Sequence, residues 1–283
     1  MPFFAAEASG LFAEQGLQLD VVDAVGHGSE ALSRLGNGAA DLAVGGVHGV
    51  LAAAAGTHHP PRVRFAAILH QRSPLAAFVP TDSALATPSD LAGARVVRSN
   101  APWFDAEYRA GLEYLGLGPP VHVGPNPLGT RPSLARGEVD AIGSWEDGIA
   151  VVRQRAGIPV RAIPFGPDVY TTGLLVADSV PTEVVQRVVH AVAAALAGLR
   201  RRPDVGVAEL CARIPRVDAD RVGEEWAVLS RYLLGPAEPL VMRRDRWEAT
   251  LRHGRRVQGF PLLDVAAVCR EELLAEPASA VLA

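Results

Sequence analysis

Strand-like and helix-like segments alternate through the first two thirds of the chain, and the alternation stops at Pro181. Such alternation predicts α/β units built on parallel sheets. Residues 4–16 read as a helix with Gly16 near its stop, and Leu17–Ala24 alternates apolar and polar residues like a strand. Ser29–Leu35 is a short helix, Asp41–Val47 an apolar strand, and 48–55 an Ala-rich helix. Arg62–Leu69 and Leu75–Pro80 are strands, and Ser89–Ala92 is a helical turn before the strand Ala94–Ser99. An amphipathic helix over 103–115 is followed by the strand Val121–Pro125, the short helix Arg131–Arg136 and the strand Ala141–Trp145. Glu146–Arg155 reads as a helix, and Pro159–Phe165 and Thr172–Ala177 as strands. Beyond Pro181, the segments 182–201, 204–213, 218–233, 244–258 and 264–274 all carry helical spacing.

Composition narrows the chemistry. The 27 basic residues are all arginine. Without lysine there is no Schiff-base catalysis and no Walker-type phosphate loop. A net charge of −4 gives no basic footprint for nucleic acid. No run of 18 or more residues is apolar and uncharged, so no membrane span is expected, and 184–199 reads as an amphipathic helix. Cys211 and Cys269 both fall in helical patterns, too far apart for a zinc site or a disulfide framework. His58 and His59, with His48 and His70, have no ligand spacing and no neighbouring carboxylate, so no metal or other cofactor is expected. The first residues lack the basic region of a signal peptide, so the chain as written reads as cytoplasmic.

Five phrases, in order, carry a family resemblance: FFAAEASGLFAEQGLQLDVV, SEALSRLGNGAADLAVGGV, QRSPLAAFVPTDSALATPSDLAGARVV, LARGEVDAIGSWEDGIA and GLLVADSVPTEVVQRVVHAVAAAL. Together they resemble the solute-binding proteins of ABC transporters for nitrate, sulfonate and taurine and for the thiamine pyrimidine precursor. The resemblance implies an α/β, two-lobed type II periplasmic-binding-protein-like fold with a helical C-terminal segment. Lobe one would be 1–77 plus 173–283 and lobe two 78–172. The family's first strand is missing ahead of PFFAAEASGLF. The resemblance further implies a monomer placed outside the cytoplasm, in the periplasm or on the cell surface, with a small-molecule ligand and an ABC permease as partners.

In such sheets ligands sit at the C-terminal ends of strands, beside helix N-termini. Four strand ends are therefore candidates. At Gly45-Gly46-Val47-His48, Gly46 lets backbone approach a ligand and His48 offers a hydrogen bond, though the same residues suit a tight turn. At the crossover Gln71-Arg72-Ser73, the Ser73 hydroxyl can meet a ligand oxygen. Ser99 and Asn100 cap a helix or hold a ligand acceptor, and Trp103 offers a stacking face. Trp145 can stack on a planar ligand and Glu146 can accept its N–H groups, or the acidic pair Glu146-Asp147 can simply suit a helix start. Tyr170, Thr171 and Thr172, near the return crossover, complete the rim.

Two functions compete: a receptor that binds without reacting, and an enzyme on the same scaffold, a lyase or hydrolase acting on a small aromatic acid. Family relatives include a cysteine-dependent aromatic sulfinate desulfinase and a lysine-dependent pyrimidine synthase. This chain has no lysine and no cysteine before Cys211, so neither catalytic pattern carries over and no catalytic residue is assigned. The carboxylates tilt the ligand from a bare anion toward a nitrogen-bearing heteroaromatic, with an organosulfonate as the other possibility.

Overall fold

The computed structural model describes residues 1–20, 28–56, 63–97, 108, 111–112, 115–116, 121–122, 133–215, 217–234 and 239–275. The chain divides into two compact α/β units. Unit 1 comprises Met1–Gln71, Val169–Ala219 and Ser230–Ala283; unit 2 comprises Arg72–Asp168 and Asp220–Leu229.

Unit 1 opens with helices α1 (Pro2–Ala8) and α2 (Leu11–Glu14). The single helix expected over 4–16 is broken because Gly10 takes φ +72°, a conformation that favours glycine. Leu17–Asp20 is irregular where a strand was expected, and 21–24 lie outside the described residues. Helix α3 (Gly28–Gly36), strand β1 (Leu42–Gly46), helix α4 (Val47–Gly56) and strand β2 (Val63–His70) follow. The return strand β8 (Thr172–Ala177) inserts between β1 and β2 and runs antiparallel to both. The expected parallel sheet therefore has an antiparallel centre.

One sheet face packs Phe65, Ile68 and Leu175 against Val50, Trp247, Leu251 and Val268. The other buries Ala66, Val176 and Val185. Val185 belongs to α6 (Thr182–Arg201), whose Val188, Val192, Leu196 and Leu199 are also buried. By length and composition alone α6 is able to cross a bilayer. Its row of buried residues, opposed by Arg187, Glu183 and Arg200, gives it one core face and one polar face. Helices α7 (Pro203–Arg213), α8 (Ala219–Leu233) and α9 (Arg244–Gln258) complete the helical part.

The helix expected over 264–274 is replaced by two short 3-10 turns, Val265–Ala267 and Glu271–Leu273, flanking an extended stretch. That stretch serves the outer edge of β2. The Phe65 N–H donates to the Val268 carbonyl at 2.8 Å, and the Arg270 N–H donates to the Phe65 carbonyl at 2.9 Å. The Ile68 N–H donates to the Leu240 carbonyl at 3.2 Å. A buried edge must pair its backbone groups, and this need overrides local helical spacing. Cys269, expected in a helix, bridges to Phe65 instead, and burial pushes its thiol up to about 12.

Unit 2 holds a five-stranded sheet in the order β5-β4-β6-β3-β7: β3 (Leu75–Pro80), β4 (Arg95–Val97), β5 (Val121–His122), β6 (Ala141–Trp145) and β7 (Val160–Pro164). Strand β4 runs parallel to β5 and β6, whereas β3 runs antiparallel to β6 and β7. Strand β3 is buried on both faces: Leu75, Ala77 and Val79 join Val96, Tyr108 and Phe165, while Phe78 joins Ile142, Val152 and Val160. A Cβ at Gly143 would lie 2.5 Å from the Tyr108 ring, so glycine there lets the ring lie on the sheet. The segment Glu146–Arg155, expected as one helix, is a 3-10 turn (Glu146–Gly148) followed by α5 (Ile149–Ala156). Residues 220–229 of α8 belong to unit 2, where Glu224 pairs with Arg153 at 2.8 Å.

Candidate functional site

In unit 1, polar and glycine residues gather at one end of the three-stranded sheet. Thr172 on β8 lies opposite Gly46 on one side and His70 on the other. The Thr171 carbonyl accepts the Val47 N–H at 2.8 Å, which fixes the start of α4, and the Thr171 N–H donates to the His70 carbonyl at 3.4 Å. The two glycines of β1 differ in role. A Cβ at Gly45 would lie 2.5 Å from Leu175, so Gly45 serves packing. A Cβ at Gly46 would meet nothing closer than the Thr171 carbonyl at 3.7 Å, so backbone is open to approach there. His48, in the first turn of α4, is half-buried with its ring 5.7 Å from Phe260.

Tyr170 was expected on the rim, but it lies in the core. Its N–H donates to the Thr250 hydroxyl at 3.1 Å, and its hydroxyl accepts the Arg243 N–H at 3.0 Å. Trp247 stands edge-on 5.3 Å away, and the Arg246 guanidinium lies 5.2 Å over the ring. Both polar groups of Tyr170 are thus engaged by protein.

Sequence reasoning weighed His70 only among possible metal ligands. His70 closes the apolar run VRFAAILH, and burial lowers its pKa to about 4, so the imidazole is neutral at ordinary pH. The usable signal was its place as the last residue of a buried strand.

In unit 2 the start of β3 and the end of β6 run side by side, because Leu75 pairs with Trp145. The Glu146 N–H donates to the Pro74 carbonyl at 2.7 Å and ties the two segments together. This register brings Ser73, Trp145 and Glu146 to one sheet end. Ser73 is buried; its hydroxyl accepts the Leu75 N–H at 3.4 Å and its own N–H donates to Pro167 at 3.1 Å. Trp145 is half-buried and packs against the cluster of Leu75, Tyr108 and Phe165. Glu146 is only 5% exposed. Asp147 beside it is half-buried, and its pKa is raised to about 6, chiefly by burial and further by the charges of Glu225 and Glu146.

Ser99, Asn100, Trp103, His58 and His59 lie outside the described residues. Among the described residues no group of three or more His, Cys, Asp or Glu is placed to hold a metal ion.

Comparison with known proteins adds the family. The NMT1/THI5-like profile matches residues 1–205. The periplasmic aliphatic sulphonate binding protein SsuA of Escherichia coli superposes with a TM-score of 0.70 at 17% identity, covering 96% of this chain and 94% of that one. The alkanesulfonate-binding protein SsuA of Xanthomonas axonopodis pv. citri, solved with MOPS, gives 0.65 at 19% identity, covering 94% and 93%. The desulfurization enzyme DSZB gives 0.59 at 20% identity, covering 96% and 94%. No curated protein matches the sequence. At these identities the structural likenesses establish the fold, a two-lobed α/β fold of the periplasmic-binding type. With the profile spanning 205 of its 283 residues, the chain belongs to the NMT1/THI5-like family.

Proposed function

We propose that this chain is the solute-binding component of an ABC importer, acting outside the cytoplasm as a monomer and delivering a small ligand to a permease. Family membership and the fold shared with SsuA support this reading. The observation that carries its ligand chemistry is the sheet end of unit 2, where the buried Glu146 sits with Ser73 and the half-buried Trp145. A carboxylate offers about four acceptor sites, so Glu146 can take N–H groups of a ligand beyond its contacts within the protein. A stacked indole supplies affinity without charge. The ligand is therefore a small nitrogen-bearing heteroaromatic of the aminopyrimidine kind, related to the thiamine pyrimidine precursor. An aliphatic sulfonate would bring a second negative charge toward Glu146 and Asp147.

Calorimetric titration of the parent and Glu146→Gln with an aminopyrimidine and with an aliphatic sulfonate tests this. Losing a charge-assisted hydrogen bond costs about 1.5–3 kcal/mol, so Glu146→Gln should bind the aminopyrimidine roughly ten- to a hundredfold more weakly. Tight sulfonate binding that is unchanged or improved in Glu146→Gln rejects the heteroaromatic reading and favours the sulfonate. One observation favours an enzyme instead: Asp147, at about 6, is poised to move protons. Under that reading the chain is a lyase or hydrolase on a small aromatic acid, and the titrated ligand would be converted during incubation.

A further inference from the structure

We infer that the exposed arginines near the end of α9, with the leucine just beyond them, are a contact site for an anionic lipid bilayer surface. The inference goes beyond the choice of solute and does not depend on it.

Residues 243–258 carry six arginines against two carboxylates, in a chain whose net charge is −4. The first three arginines are closed within the protein. Arg243 pairs with Asp245 at 3.3 Å, Arg244 pairs with Glu271, and the Arg246 guanidinium donates to the Gln71 carbonyl. The last three differ. Trp247, Thr250, Leu251 and Gly254 give α9 its buried face, whereas Arg252, Arg255 and Arg256 are exposed. Arg252 lies 3.8 Å from Glu248, and among the described residues no carboxylate pairs with Arg255 or Arg256. Like charges three and four residues apart on a helix repel, so the row costs stability until an anion meets it. A helix end favours cations in its last turn, which accounts for Arg255 and Arg256 but not for Arg252 a turn earlier.

The apolar half follows the helix. Gly259, at φ +66°, turns the chain, and Phe260 settles beside Gly254, 3.9 Å from where a Cβ would stand. Phe260 and Leu263 both pack against the core, and between them Pro261 and Leu262 are exposed. Leu262, at 55%, is more exposed than any other large hydrophobic residue among those described. A lone exposed leucine is ordinary. One anchored on both sides, just past the turn that carries Arg255 and Arg256, supplies the two signals of interfacial attachment: an apolar side chain to insert and cations for the headgroups. Arginine also matches phosphate oxygens bidentately. An acidic protein segment accounts for the cations alone.

Co-sedimentation of the full chain with vesicles of equal parts phosphatidylglycerol and phosphatidylcholine, against phosphatidylcholine alone, tests this. The chain should bind the anionic vesicles at about 0.05 M salt, leave them at about 0.5 M, and ignore the neutral ones. Arg252→Gln, Arg255→Gln and Arg256→Gln together should weaken the partition roughly hundredfold, and Leu262→Ser roughly tenfold. Arg200→Gln, Arg201→Gln and Arg202→Gln together remove the same charge from the end of α6 and should leave it unchanged. All these side chains are exposed, and thermal melts confirm that each variant folds. Equal binding to both vesicle types, full binding by the α9 variant or by Leu262→Ser, or an equal loss in the α6 variant overturns the inference. So does binding to polyglutamate with none to vesicles, which would make the row a protein contact. Absence of binding to the anionic vesicles overturns it too, and leaves the solute-binding reading, which calorimetry tests separately, where it stood.

Discussion

Replacing Asp147 with asparagine should stabilise the protein at neutral pH. Asp147 follows Glu146 in the 3-10 turn after β6, and Glu225 of α8 also acts on it. Burial and these two charges raise its folded pKa from 3.8 to about 6. The fold therefore prefers the protonated acid. Its favourable contribution is fully present below the unfolded value of 3.8 and is lost as pH rises through about 6. The whole shift would correspond to about 3 kcal/mol. Asp147 is only half-buried, so water screens part of this, and about 1–2 kcal/mol is a sounder expectation. Asparagine keeps an oxygen to accept the backbone N–H groups of residues 147 and 148 that the carboxylate now takes. Urea unfolding of both proteins between pH 4 and pH 8 reads the effect. At pH 7 to 8 the Asp147→Asn midpoint should rise by about 0.5–1 M for a slope near 2 kcal/mol/M, and near pH 4 the two midpoints should coincide. Equal midpoints at pH 7, or an unaltered pH dependence between 4 and 6 in the variant, would show that the Asp147 charge costs the fold nothing.

Three further outcomes follow from packing. Gly166→Ala would place a Cβ 2.2 Å from the Ser73 carbonyl oxygen, which is backbone and cannot swing away, so a loss of roughly 2–4 kcal/mol is expected from thermal melts; an unchanged melt would contradict this close approach. Arg270 is buried and bonds Glu272 at 2.7 Å, the Val180 carbonyl at 2.7 Å and the Thr182 hydroxyl at 2.5 Å, so Arg270→Met should lose about 3 kcal/mol in denaturant titration, and a neutral result would show that these bonds carry no stability. Cys269 is buried with its thiol near 12, whereas Cys211 is half-buried, so a thiol reagent at pH 8 should modify one cysteine in the native chain and two in urea; modification of both without denaturant would contradict the pairing of Cys269 with β2.

Elements whose own pattern agrees with their packing were legible in the sequence. Ala141–Trp145, Thr172–Ala177 and the helix Thr182–Arg201 form over the residues their periodicity marks. The helix expected over 264–274 fails because Phe65 needs backbone partners from Val268 and Arg270, a demand made by a strand 200 residues earlier in the chain. The antiparallel centre of the unit 1 sheet was invisible for the same reason: no local pattern tells the returning strand to enter between β1 and β2. Strand-end reasoning put Ser73 and Glu146 at a sheet end, and the register of β3 with β6 brings them there, since polar residues closing apolar strands are readable. It missed the burial of Tyr170, which follows from the distant Trp247 and Thr250. It weighed His70 only as a possible metal ligand and did not see its burial, because one histidine at a strand end looks the same whether solvated or buried.

A solute receptor of the kind proposed above captures its ligand and releases it unchanged. Equilibrium titration of the purified chain with the aminopyrimidine is followed by mass spectrometry of the recovered ligand after long incubation. A receptor gives saturable one-to-one binding and quantitative recovery of the intact pyrimidine. A converted product would make the chain an enzyme, and the absence of saturable binding by any small heteroaromatic or sulfonate would contradict the receptor reading altogether.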